Sequence, residues 1–277
     1  MSRLKLTDEN YYSNEANWQY MSASQFKSFR NCEAAAMAEL RGEWKRKDST
    51  ALMVGSYVDA YFSDELGMFI SDHPEIYTAK GELKADFAKA QAAAERLERD
   101  PLARMLLSGR HQVIKTGKIG GVWYKTKIDS LLSPAQVEAI CREFPEIRKL
   151  VPFGGGMIVD LKYIRDIEPI WDEFEGMKVS FIRYWGYDIQ GAIYQKVDRR
   201  SCPFVIVTVT KEAEPNIEAL YVPDTELSAW IGEVEQDSAR YAAIKRGEIE
   251  PRGCGKCAYC RNTKKLNGIK DYLEVCI

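Results

Sequence analysis

No window of this sequence is apolar for long enough to cross a bilayer, which removes helical membrane spans from the reading. The leading stretch MSRLKLTDENYYSNE has no apolar core of the kind a secretory signal requires, so a cytoplasmic protein is expected. Low-complexity runs and internal repeats are also missing, and a repeat architecture is not expected. Neither sign of charge dominates: 39 Lys and Arg face 41 Asp and Glu, a formal net charge of −2. That balance neither requires nor excludes nucleic acid, because DNA enzymes can confine positive charge to one groove. Histidine is scarce, with only His73 and His111, both in loop or hairpin contexts without convergent partners. Seven cysteines are present, but disulfides are not expected in the cytoplasm.

What is present reads as a single domain over 1–277, of α/β or α+β class. A helical N-terminal region covers about 20–108. Ser22 with Gln25 suggests a capping box that opens the first of its helices. ALMVGSYVDAYF (51–62) reads as the second, and a third covers roughly 84–107. Texture changes at His111. HQVIKTGKIGGVWYKTKIDSLL alternates about two central glycines, as a β-hairpin does. A polar, partly helical excursion follows, and GGGMIVDLKYI (154–164) returns to strand. KVSFIRYWGYDIQGAIYQKV carries Ile182, Gly186, Ile189 and Ile193 at helical spacing. PFVIVTVTK and NIEALYVP read as neighbouring strands, and DTELSAWIGEVEQDSARYAAIKRG as a capped helix. The core is placed at about 109–246 and a cysteine-bearing segment at about 250–265. Helices followed by strands, helix, strands and helix indicate a central sheet with a helical N-terminal layer.

The chemistry concentrates on that sheet. Asp160 and Lys162 are two apart on a strand, so they share a face, with Val159 and Leu161 on the other. Asp129 ends the earlier strand. If the two strands are neighbours, two carboxylates and one lysine converge. Two carboxylates and a backbone carbonyl, such as that of Leu161, suit Mg²⁺ or Mn²⁺. The lysine can then orient or activate water and stabilise charge on a phosphate. The competing reading of Asp-x-Lys is a salt bridge at a strand end. On the second helix, Asp59 follows Leu52 and Gly55 on the apolar face, where an unpaired carboxylate is costly and calls for a partner or a metal. Gln190 and Tyr194 are one helical turn apart and can hold a phosphate or fix a catalytic carboxylate.

In order, Gly55 and Asp59, Asp129, Asp160 with Lys162, and Gln190 with Tyr194 form a set that resembles the PD-(D/E)XK nuclease superfamily, in its RecB/RecE-like branch. MSASQFKSFRNCEAA, VGSYVDAYF and WGYDIQGAIYQ are also similar to phage-associated RecE-like exonucleases. The resemblance implies a mixed central sheet flanked by helices, with a restriction-endonuclease-like core. It also implies metal at Asp129, Asp160 and the Leu161 carbonyl, a catalytic Lys162, and Gln190 with Tyr194 organising the site and the DNA backbone. The implied activity is metal-dependent DNA exonuclease action on linear duplex or single strands, in partnership with a single-strand annealing protein. Two positions depart from the pattern: Asp59 stands where many relatives carry His, and Ile128 where Pro is usual. The rival readings are a catalytically silent DNA-binding module and a metal-stapled structural protein. Polarity, strand preference and oligomeric state stay open.

CGKCAYC places Cys254, Cys257 and Cys260 on one short loop, three thiols short of a fourth ligand. In several RecB-like relatives one N-terminal cysteine joins three C-terminal ones around a [4Fe–4S] cluster, which by resemblance selects Cys32. Cys276 is the local alternative, Zn²⁺ the alternative metal, and free thiols the third possibility. Cys141 and Cys202 read as ordinary core residues.

Overall fold

The computed structural model describes residues 3–45, 50–150, 155–173, 175–200, 202–269 and 271. Among the described residues seven α-helices come first: α1 Asn14–Gln19, α2 Ala23–Asn31, α3 Glu33–Arg41, α4 Thr50–Phe62, α5 Leu66–Asp72, α6 Ala85–Glu98 and α7 Pro101–Leu106. Strands β1 Arg110–Ile119 and β2 Val122–Leu132 follow, then α8 Pro134–Glu143 and α9 Ile147–Leu150. The remainder is β3 Met157–Ile164, β4 Ile170–Asp172, β5 Met177–Val179, α10 Phe181–Tyr184, α11 Tyr187–Asp198, β6 Phe204–Thr210, β7 Ile217–Val222, α12 Asp224–Lys245 and α13 Ala258–Thr263.

The main sheet has the order β1-β2-β3-β6-β7. The β1–β2 hairpin closes on Gly120 and Gly121, with φ of 55° and 80°, the left-handed pair that a tight hairpin turn demands. β3 and β6 run parallel from Ile158 opposite Phe204 to Ile164 opposite Thr210, and every residue of β6 is buried. A parallel pair needs a crossover, and here it carries the small β4–β5 hairpin, α10 and α11. Both faces of the sheet are covered. Ile128, Ile158, Phe204 and Ile206 pack against α2, α3, α11 and α12, while Val159, Leu161, Val205 and Val207 pack against α4, α6, α7 and α8. The expected mixed sheet flanked by helices, with a helical N-terminal layer, is thus the observed one.

Several local expectations change. The stretch expected as one helix around 182–197 is α10 and α11, broken at Gly186, whose φ of 62° interrupts the helical path. The helix expected over 84–107 is α6 and α7, separated where the Asp100 side chain caps the second at Pro101. Only half of the expected capping box forms: the Ser22 hydroxyl accepts the Gln25 amide, but the Gln25 side chain turns to the Asn17 carbonyl. Helix α12 starts after Pro223 with no side-chain cap. Leu52 is 73% exposed, so it does not share a buried face with Asp59. Cys276 lies outside the described residues.

The feature that makes a site is a fork. β2 and β3 pair only through Ser130–Val159, Leu131–Ile158 and Leu132–Met157. Beyond Ser130 they part, and Met21 pairs with the freed edge of β2 instead: its amide donates to the Trp123 carbonyl, and its carbonyl accepts from Lys125, both at 2.8 Å. The β1–β2 register passes over Gln112 and Asp129 at the same level, with Gln112 at a left-handed φ of 50°.

Candidate active site

Asp129 sits at the fork and takes over a ladder bond there. Its Oδ2 accepts the Leu161 amide at 2.9 Å, at the point where β2 backbone no longer reaches β3. The Leu161 carbonyl, likewise released from β2, accepts the Lys162 ammonium at 3.2 Å. Lys162 also forms an ion pair with Asp160 Oδ2, and its Nζ lies 5.2 Å from the Tyr187 ring centroid. Asp160 is 1% exposed. From α11, Gln190 donates to Asp160 Oδ1 at 2.6 Å, and one turn on the Tyr194 hydroxyl donates to the Lys127 carbonyl at 3.0 Å. The two α11 side chains thus clamp β3 and β2 on either side of the gap.

Asp59, Asp129, Asp160, Lys162, Gln190 and Tyr194 all line one cavity of about 480 Å³. Its electrostatics are those of crowded acids. Burial pushes the Asp59 carboxyl up to about 6, with Lys162 pulling it back and Asp160 adding to the rise. Asp129 is raised well above its ordinary range by burial and by both neighbouring acids. Burial alone would lower Lys162, but Asp160 and Asp129 outweigh it and hold the ammonium above its usual value. Among the described residues, Asp160 Oδ2 has no aligned hydrogen-bond donor beyond that ionic contact. An under-satisfied carboxylate oxygen beside two acids driven toward protonation is what a bound cation relieves, and the all-oxygen donor set suits a hard divalent ion. These carboxylates share the cavity without closing into a group as tight as the cysteines do. Lys162, lodged against Asp160, holds part of the position that charge balance requires.

The cysteines do close. Sulfurs of Cys32, Cys254, Cys257 and Cys260 all lie within 4.8 Å of one another. Cys32 sits between α2 and α3, and its sulfur is 3.6 Å from that of Cys260. Amides of Cys254, Cys257 and Cys260 point at sulfurs of Cys32, Cys254 and Cys257 at 3.3–3.4 Å. Amide donation, first from Lys256, lowers the Cys254 thiol to about 6, while burial pushes Cys257 up to about 12. The C-terminal segment is stitched to α3 besides: Ala34 donates to the Arg252 carbonyl, and Arg252 to the Glu33 carboxylate, which also pairs with Arg240. Four thiols with no carboxylate among them suit a thiophilic metal.

Sequence reasoning missed the N-terminal wall of the cavity. Tyr11, Tyr12 and Lys27 line it, and Lys125 and Lys127 meet the two tyrosines from β2. Lys125 is buried and donates to the Tyr11 carbonyl and to Asn17 Oδ1. Lys27 donates to the Trp185 carbonyl at 3.1 Å and is lowered to about 8 by burial and by Lys162. The available signal was Lys125-x-Lys127-x-Asp129, the same strand alternation that singled out Asp160 and Lys162. His73 also lines the cavity, hydrogen-bonded to Glu75, and His111 meets the backbone carbonyl of Asp129.

A mixed sheet that forks over two aspartates and a lysine, with Gln and Tyr supporting them from the crossover helix, defines a nuclease-type site of the PD-(D/E)XK class. The family model described as a PDDEXK-like domain of unknown function (DUF3799) matches residues 22–138 and 152–263, and the chain belongs to that family. It is similar to a solved structure from Eubacterium rectale described as a "putative exonuclease", at 39% identity with a TM-score of 0.84, covering 98% of each chain. No functionally curated protein matches the chain. No helix among the described residues is long and apolar enough to cross a membrane.

Proposed function

We propose that the protein is a Mg²⁺- or Mn²⁺-dependent DNA exonuclease of the phage recombination type. It would hydrolyse phosphodiester bonds at the β2–β3 fork and supply single strands to an annealing protein in the cytoplasm. The observation that carries this reading is the seating of Asp129, Leu161, Asp160 and Lys162 on the two sides of one gap, with Asp129 bound to the Leu161 amide. Asp129, Asp160 and the Leu161 carbonyl would hold the cation, with Asp59 in the place of the usual histidine. When bound, such an ion polarises the phosphate and lowers the pKa of a coordinated water. Lys162, kept charged by Asp160 and Asp129, stabilises negative charge on the phosphate rather than accepting a proton. Gln190 fixes the rotamer of Asp160, and Tyr194 fixes the strand that carries Asp129.

End-labelled linear duplex tests the reading, incubated with and without Mg²⁺. Wild-type protein should release nucleotides only with the metal. Asp160→Asn should lower the rate on the order of 10³-fold while the protein still folds, as read by circular dichroism. A wild type inert on linear DNA in Mg²⁺ and Mn²⁺, or an Asp160→Asn variant at full rate, refutes it.

The cysteine site is proposed to staple the two chain ends through a metal. The resemblance favours [4Fe–4S]. Sulfur spacing favours a single Zn²⁺: bonds of about 2.3 Å in a tetrahedron place thiolates about 3.8 Å apart, close to the 3.6 Å between Cys32 and Cys260.

A further inference from the structure

The rim of the cavity carries aromatic rings that the carboxylate chemistry does not use. Tyr12 lines the same cavity as Asp129 and Asp160, yet it is 72% exposed. Its ring is braced: Tyr11 meets it edge-on, with centroids 4.9 Å apart and planes at 83°, and the Lys127 ammonium lies 5.5 Å from its centroid. A second exposed pair, Tyr184 and Trp185, has the same T-shaped geometry at 4.9 Å and 87°. That pair is tied to the cavity wall through Lys27, whose ammonium binds the Trp185 carbonyl. A large ring left mostly in water beside a polar pocket adds little apolar burial to the fold.

Open aromatic faces interleaved with lysines are the components from which single-stranded nucleic acid is bound, bases on the rings and phosphates on the ammonium groups. In a double helix each interior base face is already covered by its neighbour, so only an unpaired or terminal base can lie on Tyr12. A cavity of about 480 Å³ is of small-ligand size and admits a nucleotide or two of one strand.

The geometry points to Tyr12 as a base-stacking platform, with Tyr184 and Trp185 as a second, holding the unpaired terminal nucleotides of the strand under digestion, as at the frayed end of a duplex, at the carboxylate site. This rests on the nuclease reading above and adds how the strand end is held. Fluorescence anisotropy tests it, with labelled, cleavage-resistant phosphorothioate oligonucleotides in Mg²⁺: a 12-residue single strand against a blunt hairpin of the same composition. Wild type should prefer the strand. Tyr12→Ala should weaken strand binding about 10-fold and hairpin binding less than 2-fold, and Tyr12→Phe should bind as wild type. Trp185→Ala should weaken the strand in the same selective way, and it serves should Tyr12→Ala prove unstable by melting. Equal losses on strand and hairpin, or no loss, overturn the stacking role while leaving the nuclease reading in place. A wild type that binds neither oligonucleotide overturns both.

Discussion

Replacing Asp59 with Asn should stabilise the metal-free protein at neutral pH, and the size of the effect follows from its surroundings. The Asp59 carboxyl lies in a cavity with Asp129 and Asp160, and burial moves it from an ordinary 3.8 up to about 6. A carboxyl raised on folding favours the folded state only below its unfolded value, and that advantage is lost as pH rises through about 6. At about 1.4 kcal/mol per pH unit, the ionised side chain costs on the order of 2–3 kcal/mol at pH 7. In a chain of 277 residues, that corresponds to roughly 4–6 °C in melting temperature. Asn keeps the volume and the hydrogen-bonding atoms and removes the charge. Melting curves in chelator should therefore coincide for wild type and Asp59→Asn at pH 3. Between pH 3 and pH 7 the wild type should fall behind by about 4–6 °C. Saturating Mg²⁺ should then close the gap, because a cation shared with Asp59 neutralises the wild-type site and has less to gain in the variant. Equal melting temperatures at pH 7 in chelator would refute the electrostatic argument. A gap that persists unchanged in saturating Mg²⁺ would make Asp59 a buried acid with no part in holding the ion.

Three further outcomes follow from other contacts. Lys162→Ala should lose activity but still bind Mn²⁺, since the carboxylates remain; calorimetric titration that finds no binding would assign Lys162 to building the ion site instead. Tyr194→Phe leaves the Lys127 carbonyl without its hydroxyl donor, and should cost about 1–3 kcal/mol in denaturant unfolding together with activity. Cys32→Ser should release the bound metal and lower the melting temperature while the fork residues are untouched. Metal analysis of anaerobically purified protein gives the identity: colourless with one zinc per chain for the single-ion reading, brown with iron for the cluster. An unchanged metal content in Cys32→Ser sinks the staple.

Sequence reading and structure agree where local geometry alone decides the outcome. Asp160 and Lys162 share a strand face because alternation is a property of the strand itself. The glycine pair at 120–121 sets its hairpin because only such residues enter the left-handed turn cheaply. Cys32 was reached by resemblance rather than by spacing, and the structure brings it to the triplet. The boundaries that failed did so for tertiary reasons: Ile182, Gly186, Ile189 and Ile193 keep helical period, yet Gly186 turns the chain so that α11 can lie across β1 and β2.

Composition and alternation by themselves determined the element types, the apolar runs that make β3 and β6 central, and the residue types able to hold a cation. Those are short-range facts, carried by a side chain and its near neighbours. Only the tertiary structure decided that β2 and β3 part beyond Ser130, that Met21 occupies the vacated edge, and that the N-terminal segment brings Tyr12 and Lys27 to the cavity. Strand separation leaves no local mark, because whether a backbone amide meets a neighbouring strand or an aspartate depends on packing from elements far away in the chain. Asp129 reads as a strand-end acid in sequence, yet β2 runs on to Leu132; it lines the candidate site because the fork leaves the Leu161 amide for it to hold.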